Sequence, residues 1–215
     1  MKIDTVLFDL DGTLIDTNDL IIASFEHTLA HFFPDENIEF DIVPYIGEPL
    51  VDTFRRLDSE RAADMVEMYR VHNAENHDRL IKEYDGVFET VQTLKQLGMK
   101  LAVVTNKVRD AALKGLELTR LDQFFDVVVT FDDVQRAKPA AEPIEKALDQ
   151  LDAEPENAIM VGDSQFDIEA GDKAGTYTAG VAWSLKGKAF IEQLEPDFVI
   201  EHMSELLDIV GVKAP

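Results

Sequence analysis

The sequence predicts an α/β protein in which a parallel sheet is covered by helices on both faces and is interrupted by a helical insertion. Two observations carry this prediction. From residue 87 onward, short apolar runs with strand character alternate with segments of helical periodicity, a pattern typical of parallel strands joined by crossover helices. An earlier strand, Thr5 to Phe8, precedes a long block of helical spacing. We therefore predict a core domain of residues 1–16 and 84–215 and a helical cap domain of residues 17–83.

The cap begins with a helix that follows three good N-cap residues, Asp16, Thr17 and Asn18. Apolar residues recur at helical spacing until Pro34, and an irregular stretch then runs to Pro49. Two further helices and two linkers to the core are predicted, and no convincing strand lies within the block. The predicted helices are Val51–Leu57 and Glu60–Ile81, and the linkers lie near Ile15–Thr17 and Lys82–Gly86.

The core continues as regular pairs of helix and strand. The first helix stops at Gly98, a residue type favoured just beyond a helix C-terminus. The predicted helices are Val87–Leu97, Arg109–Leu118, Pro143–Leu151, Phe166–Ala174, a weaker helix after Trp183, and Ser204–Val210. The predicted strands are Leu101–Val104, Asp126–Thr130, Ala158–Val161, Thr178–Trp183 and Phe198–Ile200.

Composition limits the function classes. The chain has 43 acidic and 20 Lys and Arg residues, a formal net charge of −23, so neither nucleic acid nor an anionic membrane is an expected partner. It has no Cys, no apolar run of transmembrane length and no signal peptide, and we expect a cytoplasmic protein. An anionic substrate would need local cations to be held against this excess of negative charge.

A pair of carboxylates follows the first strand. Asp9 and Asp11 stand two residues apart, and alternate residues of a strand point to the same side. Because two carboxylates in one small site repel each other, the pair favours a bound cation or a reacting group. Taken alone, the pair is equally compatible with a helix cap and a turn acid on a solvated loop.

Other polar residues follow later strands of the predicted sheet. Thr105 and Asn106 come after the second core strand, Asp163 after a later one, and Lys138 lies in a loop between strand and helix. In a parallel sheet these loops emerge at one edge, where ligands bind. A hydroxyl, an ammonium group and several carboxylates together suit phosphoryl transfer, with Mg²⁺ as the cation that carboxylates prefer.

Four segments in order resemble the motifs of the haloacid dehalogenase-like phosphatases. They are Asp-Leu-Asp-Gly-Thr at 9–13, Val-Val-Thr-Asn-Lys at 103–107, Lys138-Pro139 and Val-Gly-Asp-Ser-Gln-Phe-Asp at 161–167. The resemblance implies a Rossmann-like core with a small helical cap of the C1 type. Within the family the chain is most similar to the bacterial pyrophosphatases and phosphoglycolate phosphatases, which implies hydrolysis of inorganic pyrophosphate or, alternatively, of phosphoglycolate or another small phosphomonoester.

The resemblance also implies catalytic roles. Asp9 would be the nucleophile and form an aspartyl-phosphate, Asp11 would protonate the leaving oxygen and then activate water, and Lys138 would neutralise charge in the transition state. Dehalogenases of this superfamily lack an acid at the position of Asp11, and related phosphomutases carry a histidine where this chain has Ile21. Both differences favour a phosphatase.

The binding roles implied by the resemblance involve further residues. Mg²⁺ would be held by the carboxylates of Asp9 and Asp163 and the backbone carbonyl of Asp11, with Asp167 in support. The phosphoryl oxygens would be held at Thr105, Asn106 and Gly12.

Substrate choice is expected to depend on the cap, where the candidate residues are Gly47, Arg55 and Arg56. We expect a small phosphorylated substrate and a monomer or weak homodimer. A second hypothesis is a receiver-type phospho-signalling module. Receivers also combine acids, a Thr and a Lys on a parallel sheet, but they have no helical cap and do not carry the phosphorylated Asp on the first strand.

Overall fold

Six parallel strands form the central sheet of the computed structural model, which describes residues 2–34 and 40–211. The strand order is β5-β4-β1-β6-β7-β8, and every neighbouring pair is parallel. The predicted α/β class is confirmed. The strands are β1 (Thr5–Phe8), β4 (Lys100–Val104), β5 (Val127–Val129), β6 (Ala158–Gly162), β7 (Tyr177–Val181) and β8 (Phe198–Ile200).

Helices cover both faces of this sheet because its strands are apolar on both sides. On β1, Val6 and Phe8 belong to one buried cluster, whereas Leu7 belongs to another, as the alternation of side chains along a strand requires. The core helices are α4 (Val87–Gln96), α5 (Arg109–Leu118), α6 (Glu142–Leu151), α7 (Gln165–Ala174), α8 (Lys188–Gln193) and α9 (Glu205–Ile209).

The inserted block contributes three helices with an apolar cluster of their own. Phe25, Phe54 and Tyr69, one from each helix, stack edge to face or tilted at the centre of this cluster. The helices are α1 (Asn18–Phe32), α2 (Leu50–Leu57) and α3 (Ala62–Leu80). Part of the irregular stretch predicted before α2, residues 35–39, lies outside the described residues.

The linkers differ from the prediction, which placed no strand in residues 17–83. Strands β2 (Ile15–Asp16) and β3 (Lys82–Glu83) pair as a short antiparallel ribbon, with Ile15 opposite Glu83. Each of these strands has only two residues, which is too short to show a periodicity, so the sequence carries no signal for this pairing. The ribbon places the start and the end of the insertion side by side.

Two other features of the described residues complete the fold. No helix among residues 2–34 and 40–211 is both long and apolar enough to cross a membrane. Strand order also reverses direction next to β1, since the chain passes from β1 to β4 and β5 on one side and then to β6, β7 and β8 on the other. Ligands of open α/β sheets bind in the crevice outside the strand ends at such a switch point.

Candidate active site

The polar residues predicted at the strand ends meet at this switch point. Asp9 follows β1, Thr105 follows β4 and Asp163 follows β6, and all three side chains are buried. Lys138 reaches the same place from the loop before α6 and is only 2% exposed. The structure thus brings together residues that are far apart in the sequence.

Lys138 is the central cation of the site. Its Nζ donates hydrogen bonds to Asp9 Oδ1 at 2.7 Å, to Asp167 Oδ1 at 2.6 Å and to the carbonyl of Val104 at 2.6 Å. Burial by itself lowers the pKa of Lys138, but the carboxylates of Asp167 and Asp9 outweigh it and raise the pKa above its ordinary value. Lys138 therefore stays charged.

Asp9 is buried next to this cation, and one of its carboxylate oxygens accepts the hydrogen bond from Lys138. Burial raises the pKa of Asp9 to about 7, because its effect and that of Asp167 exceed the lowering by Lys138. Since Lys138 contacts Oδ1, the other oxygen of Asp9 is left for a metal ion or for attack on a substrate.

Asp163 is the carboxylate whose surroundings most favour a bound cation. It is 1% exposed, and neither of its carboxylate oxygens has a hydrogen-bond partner among the described residues. Burial, followed by the negative charges of Asp167 and Asp9, raises the pKa of Asp163 well above its ordinary value. Buried polar atoms in native proteins are normally paired, so a cation beside Asp163 would satisfy an otherwise costly arrangement.

The residues present fit a divalent metal ion. Asp9, Asp163 and Asp167 each offer a carboxylate oxygen, and these oxygens lie within 4.8 Å of one another. Gly12 leaves room for them: its φ is +80°, and a Cβ there would lie 2.5 Å from Asp163 Oδ2. Hard oxygen ligands of this kind suit Mg²⁺ or a similar cation.

Asp167 has hydrogen-bond donors on both of its carboxylate oxygens. Its Oδ2 accepts hydrogen bonds from the backbone N–H (3.0 Å) and the hydroxyl (2.6 Å) of Ser164, and its Oδ1 accepts one from Lys138. Ser164 and Asp167 form the capping box of α7, which explains locally why this loop turns into a helix here. Both oxygens are engaged, in contrast to those of Asp163.

The residues predicted to hold the phosphoryl oxygens differ in the hydrogen bonds that their backbone N–H groups make. Thr105 and Asn106 lie at the end of β4, and no hydrogen bond from the backbone N–H of Asn106 or of Leu10 is found within the described part of the chain. Those two N–H groups can bind phosphoryl oxygens. The N–H of Gly12, in contrast, donates to the carbonyl of Ile15 at 2.8 Å, and Gly12 serves the site through its lack of a side chain.

A cavity of about 360 Å³ opens between these residues and the inserted helices. Gly47, one of the predicted cap residues, lines it. Arg55 and Arg56 do not: both are exposed, and they pair with Asp52 and Glu48 respectively. Both arginines lie on α2, and helical periodicity alone does not indicate which face of a short helix meets another domain.

Sequence reasoning missed several residues that line this cavity. Tyr69, Asn73 and His77 are spaced four residues apart on one buried face of α3 and line the cavity together with Asp9 and Asp11. Their spacing was the available signal, but such a stripe is typical of ordinary packing. Lys107, the last residue of the second motif, donates to Asp11 Oδ1 at 2.7 Å.

The comparisons with known proteins agree with this geometry. Residues 6–181 match the family model described as haloacid dehalogenase-like hydrolase. The chain belongs to this family. The family resemblance seen in the four motifs is therefore confirmed, and the site residues lie within the matched region.

Similar proteins include both curated sequences and solved structures. The pyrophosphatase PpaX of Anoxybacillus flavithermus is 56% identical over 212 residues, which cover 99% of each chain. A predicted phosphatase from Clostridium acetobutylicum is 26% identical with a TM-score of 0.86, over 98% of this chain and 99% of that one. A predicted phosphoglycolate phosphatase from Haemophilus somnus is 25% identical with a TM-score of 0.85, over the same shares. The chain is a phosphatase of the haloacid dehalogenase-like hydrolases.

Proposed function

We propose that the protein is a Mg²⁺-dependent phosphohydrolase that forms an aspartyl-phosphate on Asp9 and hydrolyses inorganic pyrophosphate. The observation that carries the phosphohydrolase assignment is the juxtaposition of Asp9, Lys138 and Asp163, whose carboxylate has no hydrogen-bond partner in the part of the chain that the structure describes. The substrate is proposed from the PpaX relatives, which match over nearly the whole chain.

In the first step the free oxygen of Asp9 attacks phosphorus, and the bond from phosphorus to the leaving oxygen breaks. Lys138 holds the other oxygen of Asp9 at 2.7 Å and so orients the nucleophile and favours its ionised form. Asp11 transfers a proton to the leaving oxygen. The N–H groups of Leu10 and Asn106 receive the charge that develops on the phosphoryl oxygens.

In the second step water cleaves the aspartyl-phosphate. Asp11, now ionised, takes a proton from the water molecule as its oxygen attacks phosphorus, and the Asp9 carboxylate is released. Lys107 orients the Asp11 carboxylate through a contact of 2.7 Å. Asp9, Asp163 and the backbone carbonyl of Asp11 would hold Mg²⁺, which neutralises substrate charge and polarises the phosphoryl group when it is bound.

Pyrophosphate is favoured by the cations of the cavity. Lys107 and Lys114 line it but are paired with Asp11 and Asp78. Arg70 also lines the cavity and forms no salt bridge within residues 2–34 and 40–211. A second phosphate group on the substrate would find its counter-charge there, which matters on a chain of net charge −23.

A small phosphomonoester, such as phosphoglycolate, is a second candidate. The same cavity has a volume of about 360 Å³ and apolar walls that include Ile21, Phe25 and Val108. Apolar walls suit an organic leaving group better than a second phosphate.

The two candidates are separated by phosphate release from a panel of pyrophosphate, phosphoglycolate and sugar phosphates, measured with Mg²⁺ and with a chelator. We expect pyrophosphate to have the highest kcat/KM and chelation to abolish turnover. A higher kcat/KM for phosphoglycolate would move the assignment to the second candidate, and turnover that survives exhaustive chelation would contradict the proposed metal.

Asp9→Asn tests the nucleophile. The amide cannot attack phosphorus, so we expect turnover to fall to the background rate, whereas Asp149→Asn on the exposed face of α6 should be as active as the wild type. Residual turnover above background would remove Asp9 from this role. An aspartyl-phosphate that persists in the wild type would instead favour the receiver-type hypothesis.

The remaining proposals concern organisation and setting. We propose that residues 17–83 act as a cap domain over the core of residues 1–16 and 84–215. The antiparallel pairing of β2 with β3 gives this cap a narrow two-stranded connection, which suits hinge motion. We also propose a cytoplasmic monomer or weak homodimer that binds neither nucleic acid nor membranes, because its acidic charge opposes both.

A further inference from the structure

One segment of the cap, residues 44–48, is held against the core by hydrogen bonds to its backbone. Three of its carbonyls accept a hydrogen bond from a core side chain. The donors and acceptors are Gln165 Nε2 to Pro44 at 3.2 Å, Lys186 Nζ to Ile46 at 2.8 Å and Asn106 Nδ2 to Gly47 at 2.8 Å. Since Tyr45 to Glu48 line the cavity next to Asp9, these bonds fix one wall of the active site.

The segment also approaches the core more closely than a side chain would allow. Gly47 has φ +97°, and a Cβ there would lie 2.9 Å from the hydroxyl oxygen of Ser164 and 3.1 Å from the ring of Phe166. Ser164 is the residue whose N–H and hydroxyl hold Asp167. The segment therefore packs directly against the loop next to the acidic cluster of Asp9, Asp163 and Asp167.

Of the three donors, Lys186 is the one that lies between oxygen acceptors and aromatic rings. Its Nζ also donates to Gln165 Oε1 at 2.7 Å, and it lies 5.4 Å and 5.5 Å from the ring centroids of Phe166 and Phe190. Two oxygen acceptors and two aromatic faces are a good fit for an ammonium group. Because Lys186 also orients Gln165, its loss affects two of the three bonds to the segment.

The loop that carries Lys186 contacts the acidic cluster as well. The Ser184 hydroxyl donates to the backbone carbonyl of Asp163 at 2.7 Å, and the N–H of Lys186 donates to that same hydroxyl at 3.2 Å. One short loop after β7 thus links the backbone of Asp163 to the cap segment. The mechanism proposed above makes no use of Lys186.

We propose that Lys186 is a positioning residue that holds segment 44–48 in the place where it forms the substrate cavity. The inference rests on the proposed function only in that turnover of a phosphorylated substrate is one of its readouts. Without Lys186 the segment occupies its position against the core for a smaller fraction of the time. The apparent Kd of a ligand that requires this position rises in inverse proportion to that fraction.

The test compares Lys186→Met with Lys188→Met. Methionine keeps the aliphatic stem and removes the ammonium group, and Lys188 is an exposed neighbour that pairs with Glu192 and Glu201. We expect Lys186→Met to raise KM about tenfold or more while kcat stays within about threefold, because the chemical groups are unchanged. Lys186→Arg, which keeps a cation, should recover most of the loss, and Lys188→Met should match the wild type.

A second readout requires no turnover. The N–H groups of Tyr45, Ile46 and Glu48 donate to the carbonyls of Ile42, Val43 and Tyr45, so amide hydrogen exchange reports on the order of the segment and of the turn that leads into it. We expect the exchange of these amides to be at least about tenfold faster in Lys186→Met, with that of α4 and α6 unchanged.

The alternatives give different results. Unchanged KM and exchange in Lys186→Met, or a fall in kcat at constant KM, would overturn the positioning role. An altered half-saturating Mg²⁺ concentration without faster exchange would also overturn it, since Lys186 would then act on the charge of the acidic cluster. If the wild type hydrolyses a phosphomonoester but not pyrophosphate, only the substrate assignment fails, and the same comparison is made with that ester.

Discussion

Asp163→Asn separates the need for a metal ion from the stability of the fold. In the metal-free protein the Asp163 carboxylate is buried, lacks a hydrogen-bond partner among the described residues, and lies close to two other carboxylates. An amide keeps the shape, carries no charge and offers an N–H group to Asp9 or Asp167. We expect the variant to be more stable than the wild type in the absence of metal and to be inactive.

The magnitude follows from the burial of Asp163. A buried polar group without a partner costs about 1–3 kcal/mol. For a chain of this length, about 1 kcal/mol shifts Tm by about 2–4 °C, so we expect Asp163→Asn to raise the Tm of the metal-free protein by about 2–12 °C. Mg²⁺ at about 100 times its Kd would stabilise the wild type by about 2.7 kcal/mol and the variant far less.

The effect has a definite pH dependence. In the folded protein the pKa of Asp163 is raised well above 3.8, so above that pH the folded state keeps a proton that the unfolded chain has released. Stability contributed by this proton is present at low pH and is lost as the pH rises through the folded pKa. The stability advantage of Asp163→Asn should therefore grow as the pH rises above 3.8.

The measurement is thermal unfolding of both proteins at several pH values, with a chelator and with Mg²⁺, and with Asp149→Asn as a control for loss of a surface charge. The reasoning would be refuted if Asp163→Asn were the less stable protein without metal at neutral pH. It would be refuted equally if Mg²⁺ raised the Tm of the variant as much as that of the wild type.

Two further substitutions test the buried side chains of Lys138, which is charged, and His77, which is neutral above pH 6.5. Lys138→Met leaves Asp9 and Asp167 without their cation, so it should lower the free energy of unfolding by about 3–5 kcal/mol and abolish turnover. Urea unfolding measures the loss of stability, and a loss below about 1 kcal/mol would contradict the prediction. Burial, and then Lys107, lowers the pKa of His77 below 6.5, so stability present above pH 6.5 is lost as the pH falls. His77→Gln should therefore lose less stability than the wild type between pH 7 and pH 5, and parallel pH curves in thermal unfolding would contradict this.

The core of the site could be predicted because its residues occupy positions that the topology determines. Asp9 and Asp163 directly follow short apolar runs whose length favours buried strands over helices, and parallel strands place their carboxyl ends at one edge. Because Val6, Leu7 and Phe8 are all apolar, the sequence also predicts that β1 is buried on both of its faces. Lys138 was predicted from its motif, but its simultaneous contact with Asp9 and Asp167 depends on the path of a loop, which has no periodicity to interpret.

The side of the site formed by the inserted helices depends on how two separately packed clusters meet, and the sequence carries little information about that. Tyr69, Asn73 and His77 occupy the stripe of α3 that any packed helix would have. Arg55 and Arg56 were candidates because they are cations, yet each is exposed and pairs with an acidic side chain, Asp52 and Glu48 respectively. The role proposed for Lys186 rests on a hydrogen bond between residues 140 apart in the chain, and no local pattern encodes such a contact.

Charge balance explains why an acidic protein with an anionic substrate would need a divalent ion. Four carboxylates gather at the switch point, those of Asp9, Asp11, Asp163 and Asp167. The lysines within hydrogen-bond distance of them among the described residues, Lys107 and Lys138, supply two positive charges. When all four carboxylates are ionised, two negative charges remain, and Asp163 is the one of the four for which neither oxygen has a hydrogen-bond partner within residues 2–34 and 40–211. A divalent cation beside Asp163 would cancel that remainder and so lower the repulsion that a phosphate dianion meets as it approaches Asp9.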